Sequence, residues 1–307
     1  MSIMLRNQYS DLVLEDALPA LEFIVQEQYE MFPTKYDILF NVKDMLTSIA
    51  QSTQVSSLQP AGQVGEAEQV PLQQAYQGYD KTYTAVKYGI MLATSQELID
   101  DLRFDVMSEN PKRLNKAFMH AVEIAAAAIF NNAFATNGPD GVPLSSTAHP
   151  ILAPGVGTSS NQTTAADLTM TVLKSMVTGM RAQLDSGGNR VQIQPRHLLV
   201  HPSNEFNAYE LLKSQFLVDS SNANVNAVNS VSGQYAIQPV VWDYLTDDDA
   251  SFLVADKMDH NLCFWWRQRP EISTSSDFKT GVLLTKMLAR FVAGFSDWRG
   301  VQCNAGA

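Results

Sequence analysis

Residues 51–78, QSTQVSSLQPAGQVGEAEQVPLQQAYQG, constrain this chain more than any other stretch. They are rich in Gln, Ser and Gly and poor in aliphatic side chains, a composition that cannot close a core by itself. A strong strand pattern follows at once, DKTYTAVKYGIML. In an extended chain Thr82, Thr84, Val86, Tyr88, Ile90 and Leu92 face one way, and Lys81, Tyr83, Ala85 and Lys87 the other. Together the two stretches read as a long hairpin arm standing away from a body. An arm with so little charge, bearing Tyr76, Tyr79 and Tyr83, needs a surface to lie against.

The body is legible around it. Leu14, Leu18, Leu21, Val25 and Tyr29 recur at helical spacing in residues 11–32, with Pro19 starting or kinking the helix. A short helix is expected around SQELIDDLR. Asn110-Pro111 then signals a helix start, and PKRLNKAFMHAVEIAAAAIFNNAFA predicts a spine helix over about residues 111–136. About 25 residues at ~1.5 Å each make a rod of roughly 38 Å. Ala125–Ala128 keep its middle slim, and the turn dipeptides Asn137-Gly138 and Asp140-Gly141 stop it. From 165 to 256 strand and helix patterns alternate: a helix over 165–185, the strand RHLLV, a helix through FNAYELLKSQF, then IQPVVWDY and SFLVAD. That alternation predicts a compact α/β unit. The Asn/Ser-rich run 219–234 reads as a mobile loop, and LCFWWRQRPEIS and TGVLLTKMLARFVAGFSD close the chain as strands.

Charge decides which partners are open to such a chain. Only 17% of its 307 residues are charged, below the ~25% usual for soluble domains, while 45% are apolar. A surface so thin in charge is expected to be covered by partners. The net charge of −11 argues against gripping nucleic acid, which needs a basic stripe, but not against enclosing it. Cys263 and Cys303 have no framework spacing, so a reducing compartment is expected. The N-terminus lacks the continuous apolar segment of a secretory signal, and no apolar run reaches the ~18 residues that span a bilayer.

The motifs that suggest chemistry are weak. GVGTSS (155–160) lacks the Lys of a phosphate loop. His197 and His201 lack the further ligands a metal site requires, and each reads as an edge or capping residue. Asp247-Asp248-Asp249 lacks the bidentate Glu of a calcium loop and reads as a solvated turn. Ser145, Ser146, Thr147 and His149 sit beside a turn, but no nucleophile elbow frames them and adjacency is not a triad. The expectation is a bend, with no catalytic residue, metal or cofactor; a cytoplasmic hydrolase using the 145–149 loop is the alternative from a different class.

Several segments resemble one family. ATSQELIDDL (93–102) is similar to the S-x-E-L-x-D stretch that closes the extended arm of tailed-phage major capsid proteins. FNNAFATNGPDGVPLSSTAHPIL, RHLLVHPSNEFNAYELL and LLTKMLARFVAGFSDWRGV resemble, in the same order, regions of the Mu-like major head subunit family. The resemblance covers essentially the whole chain. It implies an α+β Hong Kong 97-type capsid fold. Residues 1–50 would be an N-terminal arm and 51–92 the extended hairpin arm (E-loop). Residues 93–164 and 257–307 would form the peripheral domain with the spine helix, and 165–256 the axial domain. The implied function is the major capsid protein of a tailed double-stranded DNA phage, forming hexamers and pentamers of an icosahedral shell. A shell of this kind would have scaffold, portal and decoration proteins as partners, would enclose DNA without sequence specificity, and would be assembled in the host cytoplasm, with no membrane partner. An encapsulin-like compartment is the near alternative. Contacts between subunits would come from Tyr76, Tyr79, Lys81, Tyr83 and Lys87 on the arm and from Asn222, Asn224 and Asn226 on the axial loop. Some relatives cross-link an arm Lys, but no partner Asn is identifiable here for Lys81 or Lys87. The arm begins close behind Met1, so a separate scaffold protein is expected.

Overall fold

A computed structural model describes residues 33–95, 97, 104–152, 157–214, 226, 228, 237–277 and 279–307. The predicted helix over 11–32 and the Asn222 and Asn224 positions lie outside them, as do most of the SQELIDDLR helix and of the loop 219–234.

In chain order the elements are α1 (Tyr36–Leu39), β1 (Asn41–Asp44), β2 (Ile49–Val55), β3 (Gln77–Thr84), β4 (Val86–Thr94) and the long helix α2 (Phe104–Asn131). The short strands β5 (His149–Pro150) and β6 (Thr158–Ser159) precede α3 (Met170–Ala182), β7 (Pro195–Val200) and α4 (Glu205–Lys213). Then come β8 (Gln238–Val241), β9 (Ser251–Ala255), β10 (Leu262–Ser276), β11 (Leu283–Phe295) and β12 (Val301–Asn304).

Two four-stranded sheets carry the body. In the long sheet the order is β1-β10-β11-β4; β10 and β11 run antiparallel and β1 joins β10 in parallel. Their 15 and 13 residues make a ribbon, roughly 40–50 Å long at ~3.3 Å per residue. The α2 helix lies along one face of it. Its 28 residues span about 42 Å at ~1.5 Å each. Leu114, Phe118, Val122, Ala126 and Phe130 recur every fourth residue and are buried, against Phe264, Trp266, Met287, Ala289 and Phe291 of the sheet. The second sheet, ordered β12-β9-β7-β8, is covered on both faces. Leu199, Val240, Phe252, Val254, Val301 and Cys303 join the core around α2. Their neighbours Leu198, Val200, Leu253 and Ala255 point the other way, into a core built with α3 and α4. Continuous apolar runs such as HLLV and FLVA are what a strand buried on two faces requires.

Three expectations need correction. Among the described residues the spine helix runs over Phe104–Asn131, so it is already formed ahead of 111 and ends before 136. Pro111 lies inside it because proline forfeits one backbone bond, which a helix of this length absorbs, while residues 132–136 tighten into turns closed by Ala133 N to Phe130 O and Thr136 N to Asn132 O. The supposed arm strand 80–92 is two strands. It divides at Ala85: β3 pairs with β2, whereas β4 pairs with β11 as an edge of the long sheet. The proposed boundaries shift accordingly, since β1 from the expected N-terminal arm belongs to the long sheet and β12 from the expected peripheral segment pairs with β9.

Buried polar groups lock these layers. Glu123 on α2 is 1% exposed and accepts from the Lys35 N–H (2.7 Å), the Tyr36 N–H (3.3 Å) and the Trp242 indole (2.7 Å). Burial raises its carboxyl above the ordinary value, and those three donors oppose the rise. Gln183 donates to Val301 O at 3.0 Å and accepts from Gly300 N at 3.0 Å, tying α3 to β12.

His260, just before β10, is buried, and its Nδ1 accepts from the Leu262 N–H. Burial, then the neighbouring His197 of β7, depress its imidazole to about 4, with Lys257 adding and Asp256 opposing. Burial and Arg196 likewise lower His197. A histidine whose folded value lies below its unfolded value contributes stability that is present above about pH 6.5. That contribution is lost as pH falls toward the folded value of about 4. The unassembled subunit should therefore weaken across that window, His260 supplying up to about 1.4 kcal/mol per pH unit. His260→Asn keeps an acceptor for Leu262 without titrating and should flatten the slope, read by urea unfolding at stepped pH.

Candidate intersubunit interface

The arm is the hairpin β2–β3, registered from Ile49 opposite Thr84 to Val55 opposite Gln77. Beyond it the two sides stay paired for a few residues: Ser56 N donates to Tyr76 O, Tyr76 N to Ser56 Oγ, and Gln59 N to Gln73 Oε1. The tip turns at Gly65–Glu68, where Glu68 N reaches Gly65 O and the Glu68 carboxylate accepts the Gly65 N–H. All residues from 58 to 77 are exposed, including Leu58, Val64, Val70, Leu72 (89%) and Tyr76.

The arm's base rests on its own chain. Ser57 N donates to Ser186 Oγ at 2.7 Å, Gln59 Nε2 to Gly187 O, and Asn189 Nδ2 to Leu58 O. Gln54 Nε2 reaches Asp297 Oδ2 at 3.2 Å. Asp185 organises that turn by accepting from the Gly187 and Asn189 N–H groups. Burial raises its carboxyl, but these hydrogen bonds and that of Ser57 outweigh it, and the net shift is downward.

The expected contact residues divide. Tyr76 is exposed on the arm, while Tyr79 and Lys81 are half-buried at its base. Tyr83 is not available to a neighbour. It is 6% exposed, stacks on Trp265 at 4.4 Å and donates its hydroxyl to Phe295 O. Burial pushes its phenol well above the ordinary range. Gly294 makes this approach possible, because a Cβ there would lie 2.2 Å from the Tyr83 ring. Lys87 is exposed, but on the long sheet and not on the arm. Asn226 is buried and internal: its amide donates to Leu211 O and Ser214 O, and its oxygen accepts from Val228 N. Sequence reasoning passed over other exposed positions, among them Phe206 (79%) and Tyr209 on α4, Met91 on β4, and Lys286 and Arg290 on β11. The alternation of β11 held the signal for the last two.

The 145–149 loop has no triad geometry. His149 is fully buried, stacked on Trp298 at 4.3 Å, with Nδ1 2.6 Å from Asp140 Oδ2 and Nε2 3.1 Å from Asn161 Oδ1. Asn161 Oδ1 already accepts the Ser146 N–H, and its Nδ2 donates to Leu144 O, so the amide is fixed in that sense. Both ring nitrogens of His149 are thus directed at Asp140 and Asn161 and neither at a serine, while Ser146 Oγ accepts the Ala148 N–H within the bend. The cluster ties a bend to the C-terminal turn. Asp247 likewise forms a turn, its carboxylate accepting from Asp249 N and Ala250 N, and His201 Nδ1 caps the turn at Ser203. Among the described residues no group of three His, Cys, Asp or Glu side chains could hold a metal ion, and no helix is long and apolar enough to cross a membrane. His149→Ala should strand the buried Asp140 carboxylate at a cost of about 3–5 kcal/mol, seen as a lowered urea midpoint of the subunit. A loss of function in that variant would report folding and not catalysis.

Comparison with known proteins places this geometry. No curated protein sequence matches the chain. The capsid of the cyanophage P-SCSP1u superposes with a TM-score of 0.60 at 11% identity, covering 90% of this chain and 88% of that one. A chain from Microbacterium phage Oxtober96 gives 0.57 at 13% identity, covering 90% and 92%. A virus-like particle from Pyrococcus furiosus gives 0.56 at 8% identity, covering 93% and 98%. At such identities the likeness establishes the architecture, a Hong Kong 97-type capsid fold. A family model described as phage capsid protein matches residues 78–304, from the arm's return strand to the end of β12. That match takes in the spine helix and most of both sheets, close to three quarters of the sequence, and the chain belongs to the phage capsid protein family.

Proposed function

We propose that this chain is the major head subunit of a tailed double-stranded DNA phage, and that its arm clasps the next copy to build hexamers and pentamers. The observation that carries the reading is the unbroken exposure of residues 58–77 with Leu58, Val64, Val70, Leu72 and Tyr76 among them. Each such apolar side chain gains about 1.5–3 kcal/mol on full burial, and the single chain offers it no core. Tyr76, Tyr79 and Lys81 then act as arm contacts, with Lys87 contributing from the long sheet. A contact of arm to body is heterologous, and repetition at a fixed rotation closes rings.

Further features suit the same role. A net charge of −11 lets a shell contain DNA without binding it tightly. Scaffold, portal and decoration proteins would be its other partners, assembly would take place in the host cytoplasm, and the Mu-like head subunits are the branch its segments resemble. The second reading, a compartment enclosing protein cargo, draws on the fit to the Pyrococcus furiosus virus-like particle. Electron microscopy of particles from the native source distinguishes the two, since DNA-filled heads with a tail-bearing vertex exclude the compartment.

The arm can be removed without touching the core. Deleting residues 58–75 and joining Leu58's neighbour Ser57 to Tyr76 through Asn-Gly leaves β2, β3 and Tyr83 in place, because Ser56 already pairs with Tyr76. The variant should keep the wild-type far-ultraviolet spectrum and cooperative unfolding yet form no shells on size exclusion. Normal shells from it would overturn the role given to the arm.

A further inference from the structure

On the outward face of the long sheet, cations of this acidic chain stand together. Lys87 on β4 and Lys286 and Arg290 on β11 are exposed and point away from α2, whose side of the sheet is taken by Tyr88, Leu92, Met287, Ala289 and Phe291. The register sets Arg290 directly opposite Lys87 and Lys286 opposite Met91. Among the described residues none of the three cations has an ion pair or side-chain hydrogen bond. Glu271 on β10 shares the face but sits opposite Leu288 and takes the Gln268 amide at 2.8 Å. Like charges directly opposite weaken a sheet, so the isolated subunit holds an electrostatic cost that an acidic partner would relieve. Half-buried Leu288 lies between Lys286 and Arg290, exposed Met91 stands opposite Lys286, and half-buried Leu284 lies just beyond it. The face therefore suits a segment that is both acidic and apolar.

The arm tip has that composition. Glu66 and Glu68 are the only charged residues between 56 and 76, and Val64, Val70 and Leu72 surround them in exposed positions. In the single chain the two sets make no ion pair with each other. We propose that the arm tip of one copy lies on the outward sheet face of the next. Glu66 and Glu68 meet Lys87, Lys286 and Arg290, and the tip's valines and leucine cover Met91. The pairing rests on the reading of the arm as an intersubunit clasp and names the surface it grips. A nucleic-acid backbone would use the cations but gain nothing from the apolar side chains between them.

Charge exchange in the full-length protein tests it. K286E/R290E and E66K/E68K should each lower the shell yield on size exclusion about tenfold or more, since like charges then face each other. The quadruple variant should return to within about threefold of wild type, and added salt should weaken wild-type assembly but hardly the apolar contacts. A quadruple variant no better than K286E/R290E overturns the pairing. So does wild-type shell yield from K286E/R290E; if those shells also release DNA at lower salt, the face meets phosphate instead. Circular dichroism of the unassembled subunits excludes misfolding, and Lys286→Gln with Arg290→Gln serves if the glutamates disturb the sheet. The arm deletion separates this inference from the reading beneath it. If deletion abolishes shells but the exchange fails, the arm clasps elsewhere; if the deletion forms shells, the clasp itself is wrong.

Discussion

The architecture depends on one helix burying against two sheets at once. Phe130 shows how. Its ring meets Phe40 behind α1 at 5.9 Å, Trp242 beyond β8 at 6.0 Å and Phe252 of β9 at 5.2 Å. Val122, Ala126 and Phe130 thereby weld the long sheet and the second sheet into a continuous apolar core. Because close-packed interiors do not deform smoothly, the two sheets are fixed relative to α2, and everything beyond that core is carried on a stiff frame. The arm is the clearest case. Its strands attach to the frame through Tyr83 and the turn at 184–190, but its distal residues contribute nothing to the core.

Polar groups finish what the apolar core begins. Glu123, Gln183 and His149 are buried side chains that each satisfy backbone or side-chain groups from distant segments. Such groups are costly to bury and costlier to leave unpaired, so each rejects arrangements in which its segments are misplaced. The residues that looked most chemical in the sequence, the Ser/His bend above all, prove to be fasteners of this kind.

Much of this was legible from the amino acids. The apolar runs in RHLLV and SFLVAD and the pattern of the final strand located the sheets, and the Ala-rich run after Asn110-Pro111 located the helix. Local rules failed where tertiary pairing decides the outcome. Nothing in DKTYTAVKYGIML marks Ala85 as the point where one strand leaves the hairpin and enters a sheet with residues some two hundred positions later. Pro111 looked like a start signal because the preceding turns carry no clear periodicity. Tyr83 resembled Tyr76 and Tyr79 in sequence, and only the glycine at 294, far along the chain, opens the recess its ring fills. Asn226 was assigned to a contact by the polarity of its neighbours, although its amide is spent on the end of α4. The cations on β11 were readable by parity once that strand's inner face was known.

The joint at Ala85 has a mechanical consequence. β3 of the arm runs directly into β4, which lies antiparallel to β11 over nine residue pairs from Val86–Phe291 to Thr94–Leu283. Hydrogen bonds in such a ladder lie across the strands. A pull carried along β4 would therefore load them side by side, in shear, and not one after another as in unzipping. Internal pressure that drives neighbouring bodies apart would be met by the strongest loading direction a sheet possesses.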